Sequence, residues 1–166
     1  MSRLEFRVGV ILEAEKHPEA DNLYVEQIDC GDGAPRTVVS GLAGLIPLEE
    51  LKGARVVVIC NLKPATMKGV ESKAMVLCAS SELDGVKLVQ IVTPPEGAPP
   101  GERVLFPGFE GEPETNPNAI KKKKIWETVA PDLKTNASCV ATYRGVPFTT
   151  SKGPCTVASL ADAPIK

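Results

Sequence analysis

RVVVICNLKPATMKGVESKAMVLCAS, residues 55–80, organises this chain. Two apolar runs, Val56–Cys60 and Ala74–Ala79, enclose a polar segment. Both are short, and the first is dominated by β-branched residues. At this length such runs predict buried strands more readily than helices. The segment between them, Asn61–Lys73, sets Lys63, Lys68 and Lys73 against one acid, Glu71. Pro64 cannot donate to a strand ladder and Gly69 permits a bend, so a loop is expected here. Asn61 and Ser72 stand where strand meets loop and have hydrogen-bonding groups to offer. A stiffened, net positive loop on two strands suits phosphates. An ordinary solvated hairpin loop has the same composition.

Upstream, Leu4–Glu15 alternates: Leu4, Phe6, Val8, Val10 and Leu12 point one way, Glu5, Arg7, Gly9 and Glu13 the other. That period predicts a long half-buried strand, with Gly9 marking a bulge. His17–Asn22 reads as a loop. Leu23–Cys30 and Arg36–Ser40 read as further strands, and Pro47–Leu51 as a short helix with acids in its first turn. Downstream, the Asp84-Gly85 turn leads into a strand over Val86–Val92. A loop rich in proline and glycine then precedes a last strand over Glu102–Phe106. A helix between the third and fourth strands is the order of a five-stranded barrel of the OB type. An SH3-like barrel or a small sandwich fits the pattern nearly as well.

The rest of the chain has a different texture. Residues 107–118, PGFEGEPETNPN, have the composition of a linker, and Asn116-Pro117 form a helix cap and first-turn pair. A helix is expected to follow. Ile120, Ile125, Val129 and Leu133 share part of one face, Lys121–Lys124 wrap the others, and Pro131 ends it. Trp126 reads as a core anchor of that helix in preference to a base-stacking platform. Short strands are expected at Cys139–Tyr143 and Val146–Thr149. A tail of about 60 residues is marginal as an independent core, so it should pack on the first unit. The expected organisation is an all-β-dominated barrel over 1–107 and a small α/β extension over 108–166.

Net charge is −2, unevenly placed: residues 1–107 hold 11 basic and 15 acidic side chains, residues 108–166 hold 8 and 6. Local patches therefore matter more than the sum. No apolar run approaches the roughly 18 residues needed to span a membrane, and MSRLEFRVGV lacks the apolar core of a signal peptide, so a cytosolic protein is expected. The five cysteines form no C-x-x-C pair, which argues against a disulfide framework or a zinc site. The only histidine, His17, reads as a surface loop residue. Ser40 lies in VVSGL rather than a G-x-S-x-G elbow, and there is no G-x-G-x-x-G or Walker A segment. Nothing specific supports an enzyme, and no cofactor or metal is expected.

Several blocks in order resemble a known family. They are LEFRVG at 4–9, KHPEADNLYVEQID at 16–29, PRTVVSGL at 35–42 and NLKPATMKGVESKAMVLCAS at 61–80. KKKIWE at 122–127 and GVPF at 145–148 continue the match in the tail. The chain is similar to tRNA-binding modules of the endothelial monocyte-activating polypeptide II type. These include the C-terminal domain of animal tyrosyl-tRNA synthetase and the yeast cofactor of methionyl- and glutamyl-tRNA synthetases. The resemblance implies an OB fold whose extension mimics the dimer interface of bacterial relatives, leaving a monomer. It implies tRNA as partner, bound with little sequence preference, and an aminoacyl-tRNA synthetase in cis or in trans. By the same resemblance Asn61, Lys63, Lys68, Ser72 and Met75 line the binding face, with Arg36 and Ser40 in the neighbouring block. Lys121, Lys122, Lys123 and Lys124 add a second basic site. The alternative implied function is a secreted cytokine-like module. The segment linked to it corresponds to RVGVILE at 7–13, where Leu12 and Glu13 depart from the polar or small residues expected.

Overall fold

The β-branched run at 56–59 is unbroken because both of its faces have something to cover. In the computed structural model, which describes residues 1–166, it lies inside a five-stranded antiparallel sheet, one strand in from the edge. The strands are β1 (Phe6–Lys16), β2 (Tyr24–Asp29), β3 (Arg36–Ser40), β4 (Arg55–Ile59) and, after a small hairpin of β5 (Ala65–Met67) and β6 (Val70–Ser72), β7 (Met75–Val76). Their order is β3-β2-β1-β4-β7, with helix α1 (Leu48–Leu51) between β3 and β4. The Lys73 amide donates to the Thr37 carbonyl at 2.9 Å and draws the two edges together. The result is a nearly closed barrel of the OB kind.

Successive strand residues point to opposite faces. Val56 and Val58 enter the barrel interior with Ile11, Tyr24, Ile28, Val38 and Leu51. Val57 and Ile59 face outward, into a second core with Leu4, Phe6 and Val8. That outer core is completed from the tail by Ile120, Val129, Leu133 and Phe148. At its centre Phe6, Phe106 and Phe148 meet edge to face, with ring centroids 4.7 to 5.6 Å apart. Aromatic pairs at this spacing add specific attraction to the area they bury.

Several expectations need correction. β1 is not half-buried along its length: Gly9 and Ile11, on the face read as polar, are buried in the barrel. Leu12, on the face read as apolar, is 44% exposed. The irregularity in β1 falls between Ile11 and Glu13, not at Gly9. Glycine stands at position 9 because a Cβ there would come within 2.9 Å of Ile28 Cγ2. The run Ala74–Ala79 is interrupted at Leu77, with β7 before it and β8 (Cys78–Leu83) after it. β8 pairs with β9 (Val86–Ile91) as a separate two-stranded sheet. Glu102–Phe106 makes only isolated bridges, Arg7 to Arg103 and Leu105 to Thr149.

The residues after 107 are stapled to the barrel. The Glu114 amide donates to the Arg3 carbonyl at 2.9 Å, and its carboxylate pairs with the Arg3 guanidinium at 2.7 Å. The single helix expected over the lysine run is two: α2 (Pro117–Lys122) and α3 (Ile125–Val129). Asn116 caps α2 as the sequence indicated, its side chain accepting from the Asn118 amide. The break falls at Lys124, whose φ of 51° is left-handed. A three-stranded sheet follows, β10 (Leu133–Thr135), β11 (Ala141–Tyr143) and β12 (Val146–Pro147). The last residues pair with β8: Lys166 and Cys78 exchange backbone hydrogen bonds at 3.0 and 3.2 Å. That protects an edge which would otherwise be open to pairing with another chain. All five cysteines are free. No helix is long and apolar enough to cross a membrane.

Two buried polar groups depart from the sequence reading. His17 is not a surface residue: it is 5% exposed. One ring nitrogen lies 3.0 Å from the Met67 carbonyl oxygen and the other accepts from the Glu19 amide, tying the end of β1 to the β5–β6 hairpin. Glu26, fully buried in β2, has the Ser40 hydroxyl as its hydrogen-bond partner, 2.5 and 3.0 Å from its two oxygens. Burial pushes the Glu26 carboxyl up to about 7, and the Ser40 hydrogen bond only partly offsets that. Below the ordinary glutamate range both folded and unfolded chains carry the proton, so stability is unaffected. As pH rises toward 7 the unfolded chain ionises first and stability falls. Above 7 the loss is complete, at about 3 kcal/mol. Glu26→Gln should therefore stabilise the protein by roughly that amount at alkaline pH and leave it nearly unchanged at about pH 4. Urea unfolding of both proteins at the two pH values checks this, and an equal difference at both would contradict it.

Candidate nucleic-acid interface

The residues singled out from the sequence separate into two chemically different sets. Asn61, Ser72, Ser40 and Arg36 have their polar atoms committed to the protein. Asn61 is 8% exposed. Its Oδ1 accepts from the Glu5 amide at 2.9 Å, and its Nδ2 donates to the Arg3 and Glu114 carbonyls at 2.8 and 3.1 Å. It knots the N-terminus, β4 and the start of the tail together. Ser72 Oγ accepts from the Val39 amide and donates to the Ala74 carbonyl, both at 2.9 Å, pinning β6 against β3. Ser40 holds Glu26. Arg36 donates to Asp32 at 2.6 Å and to the Cys60 and Lys73 carbonyls at 2.7 and 3.1 Å. The Arg36 guanidinium, with Arg7 behind it, holds the Asp32 carboxyl below its ordinary range. These surroundings favour positioning over ligand contact: the hydrogen-bonding groups of Asn61 and Ser72 are taken up by backbone partners.

Asn61→Ala would leave three backbone groups without their partner. At about 1–3 kcal/mol for each buried group left unsatisfied, with some recovered by water, a loss of about 3 kcal/mol is expected in urea unfolding. Wild-type stability in that variant would show the knot to be dispensable.

The second set is exposed and cationic. Lys63, Lys68 and Lys121 to Lys124 are all exposed. Lys68 occupies the turn of the β5–β6 hairpin with Gly69, at φ 51° and 87°, the left-handed pair that a tight two-residue turn needs. The polar segment read as a loop is thus an ordered hairpin. Lys121 and Lys122 close α2, Lys123 caps it and Lys124 opens α3. The lysines therefore fan out around a helix break rather than lining one helix.

The two basic segments, far apart in sequence, are neighbours in space. Lys63 and Lys121 line one groove of ≈ 430 Å³, walled by Pro64 and Thr66 from the barrel and by Trp126 and Glu127 from α3. Trp126 was legible as an anchor of the outer core, against which it packs, but not as a groove residue. Met75, half-buried and paired with Ile59, lines a different concavity of ≈ 270 Å³ with Ser40, Met67, Lys87 and Lys166. Lys166 carries no sequence signal, because only the pairing of the C-terminus with β8 brings it there, beside Lys87 of β9. Glu26 did leave one: Tyr24, Glu26 and Ile28 alternate on one face of β2, so an acid had to enter the core.

Comparison with known proteins agrees with this architecture. The family model described as putative tRNA binding domain matches residues 6–103. The chain is 54% identical, over 99% of its length, to the mouse aminoacyl tRNA synthase complex-interacting multifunctional protein 1. It is 57% identical over its whole length to the cytoplasmic methionine–tRNA ligase of Arabidopsis thaliana. It spans 52% of the mouse protein and 20% of the plant ligase. The C-terminal domain of Plasmodium vivax p43 superimposes with a TM-score of 0.90 at 31% identity, covering 99% of this chain and 98% of that one. The expected OB-type barrel and the expected family are both found, and the chain belongs to the putative tRNA binding domain family.

Proposed function

We propose that this chain holds tRNA on the surface shared by the β4–β7 segment and the α2–α3 lysines. Contacts are mainly to phosphates, with little sequence preference, and the chain works beside an aminoacyl-tRNA synthetase to which it is fused or bound. The observation that carries this reading is the meeting of Lys63 and Lys121 at one groove. Lysines act as point charges for phosphates, and phosphate contacts fix position without reading sequence. A module of this kind raises the effective concentration of tRNA at a catalytic neighbour without performing chemistry itself. In this reading residues 1–107 are the barrel unit and 108–166 the extension. The extension fills the outer apolar face that a second copy would otherwise cover, so the chain is a monomer in the cytoplasm. Fluorescence anisotropy of labelled bulk tRNA at low salt tests the function: saturable binding supports it, and its absence overturns it.

A further inference from the structure

The groove between the barrel and the tail brings three chemistries together. Lys63 and Lys121 supply two ammonium groups, Trp126 an indole, and Glu127 a carboxylate. Its ≈ 430 Å³ falls within the roughly 300–1,000 Å³ of sites that enclose small organic ligands. Trp126 is half-buried: it packs against the outer core and also lines the groove. We propose that this groove is a subsite for one unpaired nucleotide of an RNA strand. The base stacks on Trp126, the flanking phosphates lie at Lys63 and Lys121, and Glu127 accepts from a base amino group.

The occupant follows from the combination. A track for phosphates alone has no use for an indole, and an apolar peptide has no use for two lysines. An aromatic face beside cations is what a base with its phosphate needs. A base inside a duplex is stacked and paired on both sides and cannot present its face to the indole, so the nucleotide is unpaired. A carboxylate can accept from an exocyclic amino group such as the cytosine N4. The inference rests on the reading that the chain binds RNA, and adds where a base is held.

Trp126 is the sole tryptophan, so its emission reports this groove without a label. The full chain is titrated with tRNA, a single-stranded oligoribonucleotide and inorganic polyphosphate, while anisotropy follows binding of the labelled RNAs. Both RNAs should bind and quench Trp126. Polyphosphate should compete for the lysines without quenching. Trp126→Leu, which keeps an apolar anchor, should weaken the oligoribonucleotide about tenfold and leave polyphosphate competition unchanged. RNA binding with unaltered indole emission would overturn the subsite and leave the RNA reading standing. No RNA binding at all would overturn both. Quenching by polyphosphate as strong as by RNA would make this a charge-only site. If Trp126→Leu fails to fold, the wild-type quenching comparison still decides.

Discussion

A fragment ending at residue 107 should not behave as a stable monomer. Removing the tail takes Ile120, Val129, Leu133 and Phe148 away from the outer core. Leu4, Phe6, Val8, Val57, Ile59 and Leu77, each at most 2% exposed in the full chain, then lose much of their cover. At about 1.5–3 kcal/mol for each large apolar side chain, the loss is on the order of 10 kcal/mol. Whole domains are stable by only about 5–15 kcal/mol. The edge of β8 also loses its partner at Lys166 and becomes free to pair with another chain. In sedimentation the full chain should run as a monomer, and the fragment should associate or unfold. A monodisperse fragment with the full chain's denaturant midpoint would show the tail to be an appendage.

Replacing Lys121, Lys122, Lys123 and Lys124 together with alanine should weaken tRNA binding by a factor on the order of 10²–10³ at low salt. That follows if two or three of the four meet phosphates, each worth about tenfold through the counterions it releases. The loss should be similar for every RNA, because charge contacts carry no base information. The four side chains are exposed, so folding should be little affected. A change confined to one tRNA, or no change, would contradict a phosphate role.

The barrel was legible because its signals are local. A β-branched run at 56–59, a period-two pattern before it and a helix between the third and fourth strands survive in any context. What escaped was decided by contacts distant in sequence. The outward half of that run, Val57 and Ile59, is buried only because the tail lies over it. The helix over the lysine run fits the apolar spacing of Ile120, Ile125 and Val129, yet it breaks at Lys124, and spacing alone does not show the break. Asn61 and Ser72 stand out at strand ends in a sequence, but an amide bound to backbone and an amide free for a ligand look alike there. Only the positions of Arg3, Glu5 and Glu114 show which one Asn61 is. The groove was invisible for the same reason, since Lys63 and Lys121 become neighbours only through tertiary packing.

A jointly built cationic surface that holds tRNA through its phosphates must bind in a salt-dependent way. Its most direct test is the salt dependence of tRNA affinity for the wild-type chain, measured by anisotropy over a salt series. If four to six phosphates are contacted, log K should fall linearly with log salt at a slope of about −3 to −5. A slope near zero, with binding still present, would mean that something other than this surface holds the RNA.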